Sequence, residues 1–208
     1  MVQSQNSTQR SPKSSEKRQT ILQAAKQEFL SHGYAATSME RIAIRAGVSK
    51  ATVYNHFQDK QDLLKSIVKE LAQGKHQKIF HPHFSAAKQK EPRIFLQQLG
   101  NKILTAATNS PELIDFMRLI IGESGRFPEL GLSYIDNIAK PIQNHLAQYF
   151  ETHRELKIAD PQATARVFLG SIVYYIILQE VVKAKEVMPL EKERLIDTLV
   201  ETILVPSR

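Results

Sequence analysis

The stretch Thr37–Lys60, TSMERIAIRAGVSKATVYNHFQDK, predicts two short helices around a tight turn. The first helix runs over about residues 38–46, and Thr37 with Glu40 has the spacing of a capping box. Gly47 then stands where the chain must reverse, because glycine adopts positive φ at the lowest cost. The apolar residues of the first helix recur at helical spacing and give it one buried face: Met39, Ile42, Ala43 and Ala46.

The second helix begins after Ser49, which caps it, and Val53 faces inward together with Phe57. Ala43, Gly47 and Val53 lie four and six residues apart, a spacing that lets two helices cross closely, as in a helix-turn-helix. The outward residues form a polar set suited to base edges and phosphates: Lys50, Thr52, Asn55 and His56. An ordinary helical hairpin inside a core is the alternative, but it does not account for this polar set.

These residues resemble the DNA-binding domain of the tetracycline-repressor (TetR) family of bacterial transcription regulators. The resemblance covers about residues 15–65, and a further piece, Arg118–Leu130 (RLIIGESGRFPEL), is similar to the C-terminal domain of some multidrug-type regulators. The first part rests on Phe29, Gly33, Tyr34, Thr37, Ile42, Ala43, Ala46, Gly47, Val48, Ser49, Thr52, Tyr54, Phe57 and Lys60.

The resemblance implies a homodimeric repressor that a small hydrophobic or aromatic effector releases from a palindromic operator in double-stranded DNA. It assigns base contacts to Lys50, Ala51 and Asn55. It assigns phosphate contacts to Thr37, Tyr54, His56 and Lys60, and either role to Ser49 and Thr52. Three alternatives stay open: an activator, a ligand-independent DNA binder with the same module, and a protein that uses the helical hairpin for protein contacts.

Composition and charge agree with a DNA-binding protein. The chain has 208 residues and a net charge of +7, and residues 1–60 hold nine Lys or Arg against four acidic residues. A basic excess that coincides with the helix-turn-helix is the electrostatic footprint expected for a phosphate backbone. The first 18 residues contain no apolar segment, and the longest apolar run, Ile172–Leu178, is far shorter than the ~20 residues of a membrane span. We therefore expect a cytoplasmic protein with no membrane contact.

The remaining pattern predicts an all-α fold of about nine helices. The predicted division is a disordered tail over 1–14, a helix-turn-helix domain over 15–62 and a helical effector-binding and dimerisation domain over 63–208. In the last domain, helices are predicted over 92–109, 111–124, 128–151 with a kink at Pro141, 161–185 and 189–204. Five of these starts carry a proline, which lacks an N–H that the first turn does not need: Pro92, Pro111, Pro128, Pro161 and Pro189.

The helix predicted over 161–185 is apolar almost all round, so every side of it must be covered. In regulators that this chain resembles, the last two helices pair with their copies in a four-helix bundle. That assigns one face of 161–185 to a homodimer interface, with a face of 189–204 that bears Leu195, Ile196, Leu199 and Ile203. A helix buried wholly within its own chain is the alternative.

Enzymatic motifs are missing from the sequence: it has no cysteine, no glycine-rich phosphate loop and no G-x-S-x-G or H-E-x-x-H pattern. No cofactor is expected. His76, His81 and His83 are better read as a solvated loop than as a metal site. A surplus of large apolar side chains favours a ligand pocket, with plain core packing as the alternative for each residue. The candidates are Phe84, Leu99, Ile103, Phe116, Met117, Ile120, Tyr134, Ile138, Phe168 and Tyr175, with Phe80 and Phe95 beside them.

Overall fold

The computed structural model describes residues 12–71 and 91–204, and the chain divides into two compact units between Ile67 and Val68. Every regular element over the described ranges is helical, which confirms the all-α prediction. Apart from residues 12–14, which are helical, the predicted tail lies outside the described residues. So do the three histidines of the predicted loop, together with Phe80 and Phe84.

The first unit contains α1 (Pro12–Ala36), α2 (Met39–Ala46), α3 (Lys50–His56) and the start of α4 (Lys60–Leu71). Gly33 interrupts α1 with φ 79° and ψ 162°, a backbone conformation that glycine adopts most readily. The apolar faces of all four helices meet in one filled core, whose fully buried members include Ile21, Leu22, Ala25, Phe29, Ile42, Val53, Phe57, Leu63 and Leu64.

The turn between α2 and α3 has the predicted backbone, but the first cap differs. Gly47 ends α2 with φ 64° and ψ 30°, and the Ser49 side chain accepts a hydrogen bond from the Thr52 N–H. The N-cap of α2 is Ser38, which accepts from the Arg41 N–H, so the prediction of Thr37 as the cap is wrong. Thr37 is buried, and its hydroxyl donates instead to the Gly33 carbonyl at 2.8 Å. The kink at Gly33 explains the change, because it exposes a carbonyl within reach of Thr37.

The second unit begins with α5 (Pro92–Thr108), α6 (Pro111–Glu123) and α7 (Pro128–Tyr134). A π-helical segment, Ile135–Ala139, joins α7 directly to α8 (Lys140–Thr152). Pro141 stands just after that segment. A proline inside a continuous helix lacks one N–H and crowds the carbonyl four residues earlier, and a wider π turn relieves both problems. The sequence predicted a kink here, and the structure has a π segment.

The last helices are α9 (Pro161–Ile176), which continues as a second π segment (Ile177–Val181), and α10 (Lys192–Leu204). Two predicted bounds are therefore wrong. The helix expected to reach residue 185 ends at Val181, and Lys183 then takes positive φ, at 62°. The helix expected to start at Pro189 starts at Lys192. Four of the five prolines do open helices, because a first-turn residue needs no N–H donor.

Helix α10 packs against α5 within the same chain. A Cβ added at Gly100 of α5 would lie 2.5 Å from the Ile196 side chain, so the two helices approach as closely as a glycine allows. Gln97 donates to Asp197 at 2.8 Å, and Arg93 pairs with Glu201 at the rim. Ile196 is buried in this contact, as are Leu199 and Ile203. Three of the four residues assigned to a homodimer interface on α10 are therefore buried within their own chain, and the fourth, Leu195, is partly exposed.

Helix α9 and its π extension form an apolar helix of 21 residues, Pro161–Val181. Its length and mean hydropathy of 1.2 meet the minimum for crossing a membrane, whereas the sequence reading had considered only the uninterrupted run Ile172–Leu178. The helix also packs against α8 and α5 through a buried face of Ala165, Phe168, Ile172 and Ile176. One side of this helix therefore lies in the core of the second unit, although only 28% of its most apolar stretch is buried.

Candidate DNA-binding surface and ligand cavity

Helix α3 presents one solvent-exposed face made of Lys50, Ala51, Tyr54 and Asn55. Val53, on the opposite side, is fully buried and holds the helix against the core of the first unit. Tyr54 keeps 45% of its surface exposed, although it is aromatic. A short helix that buries one side chain and exposes four has the shape needed to enter a DNA major groove.

Lys50, on this face, forms an ion pair with Glu40 of α2. The hydrogen bond to the carboxylate raises the pKa of Lys50, and the hydrogen bond from Lys50 lowers the pKa of Glu40 to about 2. Both groups therefore stay charged near neutral pH. The Lys50 ammonium also lies 5.7 Å from the centre of the Tyr54 ring. This candidate base-reading cation thus has a partner within the protein.

The other residues assigned to DNA lie around this face, with one exception. Ser49 and Thr52 contact each other through their hydroxyls at 2.8 Å, and His56 is partly buried at the end of α3. Lys60 donates from Nζ to the Tyr34 carbonyl at 2.8 Å and lies over the Tyr34 ring. Thr37 is the exception: its buried hydroxyl, bonded to Gly33, is not available to a phosphate.

A buried carboxylate holds α1 and α2 together behind this surface. Glu28 of α1 is 4% exposed and accepts hydrogen bonds from Arg45 and from Arg41, the latter at 2.9 Å. His32 lies 3.3 Å from the same carboxylate. The hydrogen bond from Arg45 and then that from Arg41 lower the pKa of Glu28, against the opposing effect of burial. Sequence reasoning missed this cluster, because the three groups meet only when α1 and α2 cross.

The second unit contains a cavity of about 290 Å³. It lies among α5, α6, α9 and the continuous stretch formed by α7, the first π segment and α8. Most of its wall is apolar. Three polar side chains also line it: Tyr134, Gln143 and Arg166. The apolar lining consists of Ile103, Ala106, Ala107, Leu113, Met117, Ile138, Ala139, Ile142, Leu169, Gly170, Val173 and Ile176.

Four of the ten residues predicted for the pocket line this cavity: Ile103, Met117, Tyr134 and Ile138. Among the others, Leu99, Phe116, Ile120 and Phe168 are buried in the packed interior and do not reach the cavity. Tyr175 does not line it either, since its hydroxyl donates to the Leu190 carbonyl at 3.0 Å. Phe84 lies outside the described residues. The prediction selected large apolar side chains, and several of these fill the core instead of lining the cavity.

Small residues were the signal that sequence reasoning missed. Ala106 and Ala107 on α5, Ala139 in the π segment and Gly170 on α9 all line the cavity. Where several helices turn small residues toward the same point, their side chains leave a void. The first π segment lines the cavity through Ile138 and Ala139, and such segments occur frequently at functional sites.

Helix α9 has three faces, which explains its apolar composition. At about 100° per residue, its buried residues share one side and its cavity residues the next. The third side points to solvent and carries Val167 and Tyr174, which are 56% and 59% exposed. Ala163, Ser171 and Leu178 continue this stripe. An exposed apolar stripe of this length indicates a surface for a protein partner.

Two family models match this chain. The model of "Bacterial regulatory proteins, tetR family" matches residues 21–67, and the model of "AefR-like transcriptional repressor, C-terminal domain" matches residues 95–205. Among curated proteins, the chain is similar to the HTH-type transcriptional regulator YhgD of Bacillus subtilis (strain 168). The two are 26% identical over 185 residues, which cover 86% of this chain and 90% of YhgD.

Solved structures share the fold over nearly the whole chain. A TetR-family transcriptional regulator from Mesorhizobium loti MAFF303099 superposes with a TM-score of 0.75 and 29% identity, over 93% of this chain and 98% of that one. The flavonoid-responsive regulator FrrA superposes with a TM-score of 0.71 and 26% identity, over 91% and 94% of the two chains. The match therefore extends well beyond the helix-turn-helix.

Proposed function

Because this chain belongs to the tetR family of bacterial regulatory proteins, it is a DNA-binding transcriptional regulator, and we propose that it acts as a homodimeric repressor. In this proposal a small hydrophobic effector releases the dimer from a palindromic operator in the bacterial cytoplasm. The observation that carries it is the pairing, in one chain, of an exposed helix α3 with a separate apolar cavity. A regulator of this kind needs no catalytic group.

For DNA recognition, we assign the major groove to the exposed face of α3. Lys50, Ala51 and Asn55 are the candidate base readers on that face. Tyr54, His56 and Lys60 flank it as candidate phosphate contacts, and Ser49 and Thr52 serve either role through hydroxyls that also cap the helix. Thr37 is left out of the set because its hydroxyl is engaged within the protein.

For the dimer, we assign the exposed stripe of α9. Val167 and Tyr174 leave apolar surface open to solvent on this helix, whereas the exposed residues of α10 are polar: Glu193, Arg194, Asp197, Thr198, Glu201 and Thr202. A second copy of the chain, related by a twofold axis, places the same stripe opposite itself. Two copies also supply the two recognition helices that a palindromic site requires.

For release, the effector enters the cavity of the second unit and favours a dimer whose recognition helices do not match the operator. An effector of this kind must bind the released state more tightly; moving a 99:1 population to 1:99 requires about 5.5 kcal/mol of differential affinity. Helix α4 contains the division between the two units, so it is the covalent path from cavity to DNA. The flavonoid-responsive relative offers a precedent for small-molecule response on this fold.

The test has two stages. Genomic fragments bound by the purified protein are selected and sequenced, and a labelled operator is then titrated by fluorescence anisotropy with and without apolar and aromatic compounds. The proposal expects a palindromic site overlapping a promoter, and release by at least one compound. Binding that no compound reverses would favour the ligand-independent DNA binder, and increased transcription from the bound promoter would favour the activator.

A further inference from the structure

The polar residues of the cavity differ in character from the rest of its wall. Tyr134, Gln143 and Arg166 are its only polar lining residues among those described, and no acidic side chain lines it. Arg166 is also solvent-exposed, so it stands where the cavity meets solvent. The cavity is therefore apolar inside and carries one positive charge, that of Arg166, at its opening.

None of these three side chains has a hydrogen-bond or ion-pair partner among the described residues. Two other arginines of the second unit, by contrast, are engaged within the fold. Arg93 pairs with Glu201, and Arg118 donates to the Val181 and Glu180 carbonyls and to Asp115. Arg166 therefore offers a charge-assisted donor pair that nothing in the described fold uses.

We propose that the effector is a small apolar monocarboxylate whose head group pairs with Arg166 while its hydrocarbon part fills the cavity. This inference rests on the proposed function and adds the charge class of the ligand and the residue that selects it. A carboxylate matches the planar guanidinium in a bidentate pair. A lipophilic cation would meet Arg166 without any acidic lining residue to compensate it, and burying such an unpaired charge is unfavourable.

Tyr134 supports the same orientation. Burial raises the pKa of Tyr134, so its phenol stays neutral at physiological pH and remains a hydrogen-bond donor. The Gln143 amide lies in the same wall and supplies N–H donors as well. Both groups can donate to an anionic oxygen, and both can also accept, so the charge of Arg166 is what disfavours an ammonium group.

The volume sets the size of the ligand. A cavity of about 290 Å³ lies at the lower end of the range of ligand pockets, about 300–1,000 Å³. It therefore favours a small ligand, such as an eight-carbon fatty acid or an arylpropanoic acid. A long-chain acyl group carrying a nucleotide is several times larger than this space. The expected class is therefore a short to medium-length free carboxylic acid.

The test compares three probes of equal chain length against the full-length protein by isothermal titration calorimetry at pH 7.5, below their micellar concentrations. The probes are octanoate, 1-octanol and octylammonium. The wild-type protein should bind octanoate at least about tenfold more tightly than 1-octanol, because a carboxylate pairs with the guanidinium as an anion through two hydrogen bonds, whereas a neutral hydroxyl accepts only one. Octylammonium should bind more weakly than either.

Arg166→Gln should weaken octanoate binding much more than 1-octanol binding, so that the preference for octanoate is lost, while operator binding shows that the protein is folded. Arg194→Gln is the matched control, since Arg194 is an exposed arginine on α10 that does not line the cavity. Equal binding of octanoate and 1-octanol, or a preference that survives Arg166→Gln, would overturn this inference while the proposed effector cavity stands. If none of the three probes binds a protein that still binds operator, the cavity itself is not the ligand site.

Discussion

The two units of this protein use apolar residues in opposite ways. In the first unit, the apolar side chains of α1 to α4 meet in one filled core, and the functional face of α3 is polar and exposed. In the second unit, α9 divides its apolar residues among a core face, a cavity wall and an exposed stripe. A DNA-reading module needs rigidity, whereas a sensing module needs surface that other molecules can occupy. The contrast predicts different responses to the same substitution.

The largest difference should follow removal of an isoleucine side chain. Ile42→Ala in the filled core should lower the free energy of unfolding by about 2–5 kcal/mol and abolish operator binding, because the surrounding residues cannot close the void. Ile103→Ala should cost clearly less, since Ile103 already borders empty space. Ile44→Ala, at a position that is 80% exposed, is the control. Urea denaturation measures all three, and equal losses for Ile42 and Ile103 would remove the contrast.

A charge on the exposed stripe should separate the dimer. Tyr174→Glu places a carboxylate on the stripe, where two copies would bury it without a partner. We expect a folded monomer by light scattering at micromolar concentration and a large loss of operator affinity. Ile177→Glu is a poorer test, because Ile177 packs against the core of its own chain. Thr198→Glu, on the polar face of α10, should leave the dimer intact, and a stable Tyr174→Glu dimer would place the interface elsewhere.

A substitution on the DNA-reading face should affect specificity without affecting folding. Asn55 is exposed on α3, so Asn55→Ala should leave the urea midpoint unchanged. If Asn55 reads a base through two hydrogen bonds, the variant should lose about 1–3 kcal/mol of operator binding and little binding to random DNA. Anisotropy titrations with both DNAs measure the difference. Equal losses on the two DNAs would make Asn55 a backbone contact.

Acid should weaken the first unit through Glu28. Its pKa in the folded protein lies below the ordinary value of 4.5, so its stabilising effect is complete above that value and disappears as pH falls through the folded pKa. Glu28→Gln should therefore be less stable than wild type by about 1–3 kcal/mol at pH 7, since it leaves charged donors without their anion. The difference should shrink at pH 3 in urea denaturation. Glu16→Gln, at an exposed position of α1, should show no such pH dependence.

The glycine beside the cavity should have a small, stabilising effect. A Cβ added at Gly170 meets no atom within 4 Å, so Gly170→Leu should stabilise α9 by up to about 1 kcal/mol through helix propensity. It should also narrow the cavity and block ligand binding. Gly122→Leu, at an equally open helical glycine that does not line the cavity, should share the stabilising effect only. Calorimetric titration that shows unchanged binding in Gly170→Leu would mean that the ligand does not occupy this part of the cavity.

The sequence predicted the first unit well, because each role there depends on one residue type at a fixed offset. Gly47 takes the positive φ that ends α2, and Ser49 caps α3. Thr37 and Ser38 are both acceptable caps, and only the kink at Gly33 decides between them. A rule based on residue type and spacing cannot decide between two adjacent caps when the position of a nearby carbonyl determines which side chain is used.

The second unit was harder to predict, because periodicity shows that a helix has an apolar face but not what covers that face. The face of Ile196 on α10 meets α5 through Gly100, a contact between residues nearly one hundred positions apart. The cavity depends on the combined volume of residues from six segments, and no single segment reveals it. Sequence patterns identify candidate surfaces, while the packing of distant helices decides which of them remain open.

In the proposed complex, Lys50 reaches DNA from an existing ion pair with Glu40 rather than from free solution. A lysine that binds a phosphate ordinarily displaces a condensed cation from the duplex, and each such contact steepens the dependence of affinity on salt by about 0.9. When Lys50 turns toward DNA, however, it leaves a carboxylate that attracts a cation in its place. The favourable free energy of counterion release is therefore partly cancelled. The helix should bind non-specific DNA less tightly than its charge alone would predict. A regulator that must leave countless non-operator sites quickly benefits from that restraint.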